Sequence, residues 1–121
     1  MGDNAANDRV REGLAHHQQG DLDTAIEHYQ QALELDPGSA NALHFYGMAR
    51  FQRGEPAAAE ELIRQSIEIL PGSALFRYNY GQFLEGQGRL HEALNAYDLA
   101  LTRDPTMTSA LNERGRILRV L

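Results

Sequence analysis

An all-α architecture of stacked helical hairpins is predicted for this chain of 121 residues by three coincident periodicities. Gly20, Gly54 and Gly88 recur every 34 residues, as do Pro37, Pro71 and Pro105. A second glycine series, Gly13, Gly47, Gly81 and Gly115, keeps the same phase, and so does an alanine series, Ala25, Ala59 and Ala93. Apolar residues at helical spacing between such regular breaks mark helical repeats that bury their faces on one another. Chains of this kind bind along a surface and usually carry no chemistry of their own.

Each repeat divides at its central glycine into two stretches long enough for a helix. Residues 1–5 read as a tail, and helices are expected near 6–19, 22–35, 40–53, 56–69, 74–87, 90–103 and 108–120. The turns within hairpins are Gln19-Gly20-Asp21, Arg53-Gly54-Glu55 and Gln87-Gly88-Arg89, where glycine takes the left-handed conformation that closes a helix. Pro56 suits the first turn of its helix, which does not need its missing N–H. Between hairpins, Pro37-Gly38-Ser39-Ala40 and Pro71-Gly72-Ser73-Ala74 stop one helix and cap the next through serine. Pro105-Thr106-Met107-Thr108 is expected to keep that capping with threonine. The organisation is thus three full repeats (6–39, 40–73, 74–107) and a terminal helix over 108–121.

Gly47 and Gly81 fall in mid-helix, where glycine costs up to about 1 kcal/mol against alanine. Retaining one there implies the close approach of a second backbone, with Ala25, Ala59 and Ala93 as the flat complementary surface. Tyr29 and Leu33, Ile63 and Ile67, and Tyr97 and Leu101 follow at helical spacing as the larger core residues.

The order Gly13, Gly20, Ala25, Tyr29, Ala32, Pro37 returns as Gly47, Gly54, Ala59, Ile63, Ser66, Pro71 and as Gly81, Gly88, Ala93, Tyr97, Ala100, Pro105. It closely resembles the tetratricopeptide repeat over about residues 6–121. The large aromatic usual near the start of the first helix is replaced by Arg9, Leu43, Arg77 and Leu111, which leaves the phase intact. Tyr78-Asn79-Tyr80-Gly81 and Gly88-Arg89-Leu90-His91-Glu92-Ala93-Leu94 resemble the repeat arms of O-linked N-acetylglucosamine transferases and related bacterial proteins.

The resemblance implies a right-handed superhelix whose first helices line a concave groove for an extended or helical peptide of a partner protein. By register the groove positions are Val10, Leu14 and His17, then Asn41, His44, Phe45, Met48 and Phe51. Leu75, Tyr78, Asn79, Gln82 and Glu85 follow, then Asn112, Arg116 and Arg119 from the last helix, and Asn7 precedes Val10 in the first. Phe45, Met48, Phe51 and Tyr78 suit an apolar anchor, with Asn79 and Gln82 holding peptide backbone. The alternative, that Phe45 and Phe51 only pack between repeats, stays open. Co-chaperone members grip the carboxylate tails of Hsp70 and Hsp90 with a clamp that includes lysines and an arginine. The matching residues here are Val10, Leu14, Phe45, Leu75 and Asn79, so no such clamp is expected.

Composition excludes other functions. The net charge is −6 and all eleven basic residues are arginine, which argues against a nucleic-acid surface. Residues 1–70 carry five arginines against twelve acids, and 71–121 six against five, a bias on partner choice. Without cysteine there is no disulfide or thiolate site. No apolar run approaches the roughly 20 residues of a membrane span, no signal peptide is visible, and the location is read as cytoplasmic by default. His16, His17, His28, His44 and His91 show no ligand spacing on one face, so no metal or cofactor is expected. No nucleophile has a base beside it, so no catalytic residue and no enzyme activity is assigned. Glu60, Glu61, Glu68 and Asp98 read as a solvated outer face. The last helix shows Ile117, Leu118, Val120 and Leu121 where a solenoid needs a polar cap. Two explanations stand: a fragment of a larger protein, which is favoured, or a natural terminal helix, and the exposed stripe also permits self-association. The function expected is a protein-interaction scaffold, the alternative being the substrate-recruiting or oligomerising arm of a transferase whose catalytic domain lies beyond residue 121.

Overall fold

Every interruption of helix falls at a glycine or proline of the 34-residue series. The computed structural model describes residues 4–121, and side chains from Ala5 onward. It contains α1 (Asn4–Gln18), α2 (Leu22–Leu35), α3 (Ala40–Gln52), α4 (Pro56–Ile69), α5 (Ala74–Gly86), α6 (Leu90–Arg103) and α7 (Thr108–Val120). No strand occurs among the described residues, and these bounds differ from the expected ones by at most two residues. The largest departure is at the start, where helix begins at Asn4, inside the expected tail; Met1, Gly2 and Asp3 lie outside the described residues. Ala5 and Ala6 are strong helix formers, and Ala6 is buried, so packing extends the helix over them.

The turns inside hairpins share one construction. Gly20, Gly54 and Gly88 have φ of 83°, 83° and 76°. Asp21 N–H donates to His16 O at 2.9 Å and Gly20 N–H to His17 O at 3.0 Å, the paired bonds of a Schellman motif. Glu55 and Gly54 repeat the pair on Arg50 and Phe51, and Arg89 and Gly88 on Leu84 and Glu85. Pro56 occupies the first turn of α4 as expected.

Between hairpins, Ser39 Oγ accepts the Ala42 N–H at 3.2 Å and Ser73 Oγ accepts the Phe76 N–H at 3.1 Å. The third copy departs from the expectation. Met107, one period beyond Ser73, holds the capping position of α7 and has no side-chain acceptor. Thr106 Oγ1 instead donates to Asp104 Oδ1 at 2.8 Å, inside the turn, because it stands one residue too early to reach the helix N-terminus.

Two units divide at Leu70 and Pro71. In the first, α1 packs on α2, α2 on α3 and α3 on α4; in the second, α5 packs on α6 and α6 on α7. Contact within hairpins is made over the ladder glycines. A β-carbon on Gly13 would stand 2.5 Å from Tyr29 Cε1 and 3.2 Å from the Ala25 carbonyl oxygen. On Gly47 it would stand 2.9 Å from Ile63 Cγ1 and 3.1 Å from the Ala59 carbonyl oxygen, and on Gly81 2.6 Å from Tyr97 Cε1. Ala25, Ala59, Ala93, Tyr29, Ile63 and Tyr97 are fully buried. Mid-helix glycine is thus the condition for a second helix, bearing a large side chain, to close on the first.

Candidate functional site

The first helices carry the candidate surface, and their side chains divide into those that build the units and those that remain open. In the first unit two expected groove residues belong to the interior. Val10 is 5% exposed and packs with Ala6, Ala25 and Ile26 in the core of α1, α2 and α3. His44 is fully buried, with Nδ1 3.2 Å from Ser66 Oγ and the ring edge-on to Phe45 at 5.2 Å. Both pack on the second helix of their own hairpin, Val10 with Ala25 and Ile26 of α2 and His44 on Ser66 of α4. Burial pushes the His44 imidazole down to about 3.

Leu14, His17, Phe45, Met48 and Phe51 are half-buried and Asn41 is exposed. His17 works as a bracket. Its Nε2 lies 2.8 Å from Gln52 Oε1 on α3, and its Nδ1 lies 3.0 Å from the Tyr29 hydroxyl on α2. Gln52 Oε1 can only accept, so Nε2 carries the proton and Nδ1 accepts from the phenol. Burial raises the Tyr29 hydroxyl above its ordinary range, so it stays a donor. Phe45 lies tilted on Tyr29 at 6.5 Å and joins the core margin, so it serves packing whatever else it touches.

In the second unit Leu75 and Gln82 are exposed and Tyr78 and Asn79 half-buried on α5, while Asn112 and Arg116 are exposed on α7. The Tyr78 ring lies 5.7 Å from Tyr97, and its hydroxyl accepts from Gln82 Nε2 at 3.0 Å. Arg116 is engaged: it bonds Glu85 on α5 and, at 2.6 Å, Glu113 on its own helix. Glu85 also accepts from the Tyr97 hydroxyl at 2.8 Å. Burial alone would raise the Glu85 carboxyl, but the bonds from Arg116 and Tyr97 outweigh it and hold the carboxyl below its ordinary range. Asp98 pairs with Arg114 of α7 at 2.6 Å, so it is a helix-to-helix tie and not merely a solvated acid.

Several of these partners were readable from the repeat register. Residues 17, 51 and 85 are His, Phe and Glu, and 29, 63 and 97 are Tyr, Ile and Tyr. A polar residue thus accompanies each phenol, and an apolar one the aliphatic. Val10 with Ala32 likewise becomes His44 with Ser66 one repeat later.

Among the described residues no three histidine or carboxylate side chains are placed to share a metal ion. His16 and His28 stack with ring centroids 5.3 Å apart and planes at 14°, and their Nδ1 atoms face different carboxylates, Asp21 at 3.6 Å and Glu12 at 3.5 Å. A pocket of about 300 Å³ between α5 and α6 is lined by Arg77, Tyr80, Leu84, His91, Glu92, Asn95, Ala96 and Leu99, none of them an expected groove residue. No described helix is long and apolar enough to cross a membrane.

A family model of the tetratricopeptide repeat matches residues 10–74 and 47–108. No curated protein matches the chain. Among solved structures, the first tetratricopeptide domain of Spaghetti (RPAP3), bound to the HSP90 peptide SRMEEVD, superposes with TM-score 0.88 at 22% identity, covering 98% of this chain and 94% of that one. Pseudomonas aeruginosa pilF gives TM-score 0.91 at 29% identity, over 98% of this chain and 55% of that one. The O-GlcNAc transferase of Thermobaculum terrenum gives TM-score 0.90 at 21% identity, over 98% of this chain and 23% of that one. Hairpins closed over ladder glycines, left-handed turns every 34 residues and a family match over most of its length place this chain in the tetratricopeptide repeat family, a fold that generally mediates protein–protein interaction.

Proposed function

We propose that the chain is an interaction module that holds a peptide segment of a partner protein along the open side of its first helices. The observation carrying this reading is the division of labour on α3. Gly47, Ala49 and Leu43 are spent on packing and buried, while Asn41 is exposed and Met48 and Phe51 stay partly open. A half-open apolar strip with an amide at its edge suits peptide side chains and backbone together.

The acidic peptide held by the Spaghetti domain is a poor model for the ligand. The positions a carboxylate clamp would use hold Val10, Leu14, Phe45, Leu75 and Asn79, none a cation, and Val10 is buried. With a net charge of −6, mostly from residues 1–70, the module favours an apolar or basic segment. A transferase arm is the second reading. It is favoured by the occurrence of the same fold within the Thermobaculum terrenum O-GlcNAc transferase, and reading the gene past Leu121 separates the two.

The test is selection from a displayed peptide library on the wild-type chain, followed by affinity measurement on the wild type and on Met48→Glu. Selected peptides are expected to be apolar or basic and to bind the variant at least about tenfold more weakly while its helicity is unchanged. Equal binding to both would remove the α3 surface from the reading.

A further inference from the structure

The pocket between α5 and α6 opens on a seam that the earlier hairpins fill. In the first repeat the same seam holds His16 stacked on His28 at 5.3 Å. In the second, Leu43 and Leu62 stand there, Leu43 only 8% exposed, and the Arg50 guanidinium lies over the Tyr46 ring at 5.6 Å from its centroid. One period later Leu43, Leu62, Arg50 and Tyr46 become Arg77, Ala96, Leu84 and Tyr80. Alanine takes the place of the imidazole and the leucine, and a volume of about 300 Å³ remains.

The walls are set before any ligand arrives. Leu84 and Ala96 are 1% and 4% exposed, and the Tyr80 ring stacks on the buried Phe83 ring at 6.1 Å with planes at 19°. Leu99, 39% exposed, adds apolar surface that an occupant would cover. The polar groups give the pocket a sign. Glu92 is neutralised by Arg89, which donates to both its oxygens at 2.9 and 2.8 Å. Arg77 enters no ion pair among the described residues, and its Nη2 donates only to the Pro71 carbonyl oxygen at 3.5 Å. Asn95, exposed beside it in the lining, has an amide that can donate.

We propose that this pocket binds a carboxylic acid with a flat apolar body. The body lies among Tyr80, Leu84, Ala96 and Leu99, and the carboxylate lies on Arg77 and Asn95. A single unpaired guanidinium balances one negative charge, whereas a dianion would lack its second cation. The volume takes a phenyl or indole group on a short acid arm and little more. Such an acid is either a free small molecule or the last residue of a peptide, which present the same chemistry. The site stands apart from the groove reading: at about 100° per residue, positions 77, 80 and 84 fall on the face of α5 opposite 75, 79 and 82.

The probes are 3-phenylpropionate, its cationic counterpart 3-phenylpropylamine, and a short peptide ending in phenylalanine with a free carboxylate. Each is titrated into the full chain up to about 10 mM and followed by amide chemical shifts. Saturable shifts at Tyr80, Asn95, Ala96 and Leu99 are expected with the acid, and binding at least about tenfold weaker with the amine. Ala96→Leu, which restores the residue of the second repeat, should abolish them while helicity and melting midpoint are kept. Arg77→Gln should bring acid and amine within about twofold of each other. Met48→Glu should leave acid binding unchanged, so this site and the groove fail separately. A peptide that binds at least as tightly as the free acid makes the natural ligand a chain terminus, and a weaker one makes it a small acid. No saturable binding of acid or peptide, equal binding of acid and amine to the wild type, or undiminished binding by Ala96→Leu overturns the proposal.

Discussion

His44 is an uncharged ring held in one tautomer. The single proton of Ser66 Oγ goes to Ile63 O at 2.6 Å, so the contact with His44 at 3.2 Å needs the proton on Nδ1. Further protonation would put a charge into the interior, which is why burial takes the group down to about 3. The unfolded chain takes up that proton below roughly pH 6.5, and the folded chain only near 3, so stability is complete above pH 6.5 and drains as pH falls. The loss is about 1.4 kcal/mol per pH unit, or about 2 kcal/mol by pH 5. Urea titrations between pH 7.5 and 5 should show it. The double change His44→Val with Ser66→Ala, which copies the Val10 and Ala32 pair of the first repeat, should flatten this part of the slope; an unaltered slope would mean that other groups cause it. The interior role of His44 was not legible from spacing. Its ring turns toward Ser66 of α4, inside its own hairpin, and it is the comparison with Val10 and Ala32 one repeat earlier, not the position on the helix, that marks the direction as core.

At the level of helices, four glycines in one ladder have two opposite roles. Gly81 is pressed by the Tyr97 ring, so Gly81→Leu should cost about 1–3 kcal/mol or more. Gly115 meets nothing, so Gly115→Ala should stabilise α7 by up to about 1 kcal/mol, the helix propensity difference. Thermal or urea unfolding of the two variants should move in opposite directions, and a loss in both would break the account of the ladder. The turns, by contrast, were legible almost to the residue. Glycine at a left-handed position and proline at a helix start act locally and need no tertiary context. The error at α7 has the same origin: a threonine near a helix start suggests a cap, but the competent position belongs to Met107.

At the scale of the whole molecule, helices within each unit meet mainly their sequence neighbours, so the closing loops are short. Folding of such chains falls in the microsecond to millisecond range, and refolding from urea should be largely complete within roughly 10 ms in stopped-flow. A dominant phase of seconds would point to non-local steps absent from this fold. The repeat itself was legible because its period is written in glycine, proline and alanine, whereas the ligand surface was legible only as a list of helix positions. The polar brackets, His17 with Gln52 and Glu85 with Arg116, join helices distant in sequence, and no local pattern announces them. The tyrosines pressed on Gly13 and Gly81 carry one more consequence. Ring atoms of both fill the space a glycine β-carbon would need, so a half-turn of either ring is expected to require its hairpin to breathe apart. The two sides of each ring should therefore resonate separately, and the rate at which they exchange is a clock for the opening of α1 from α2 and of α5 from α6. Ile63 leaves the middle hairpin without one.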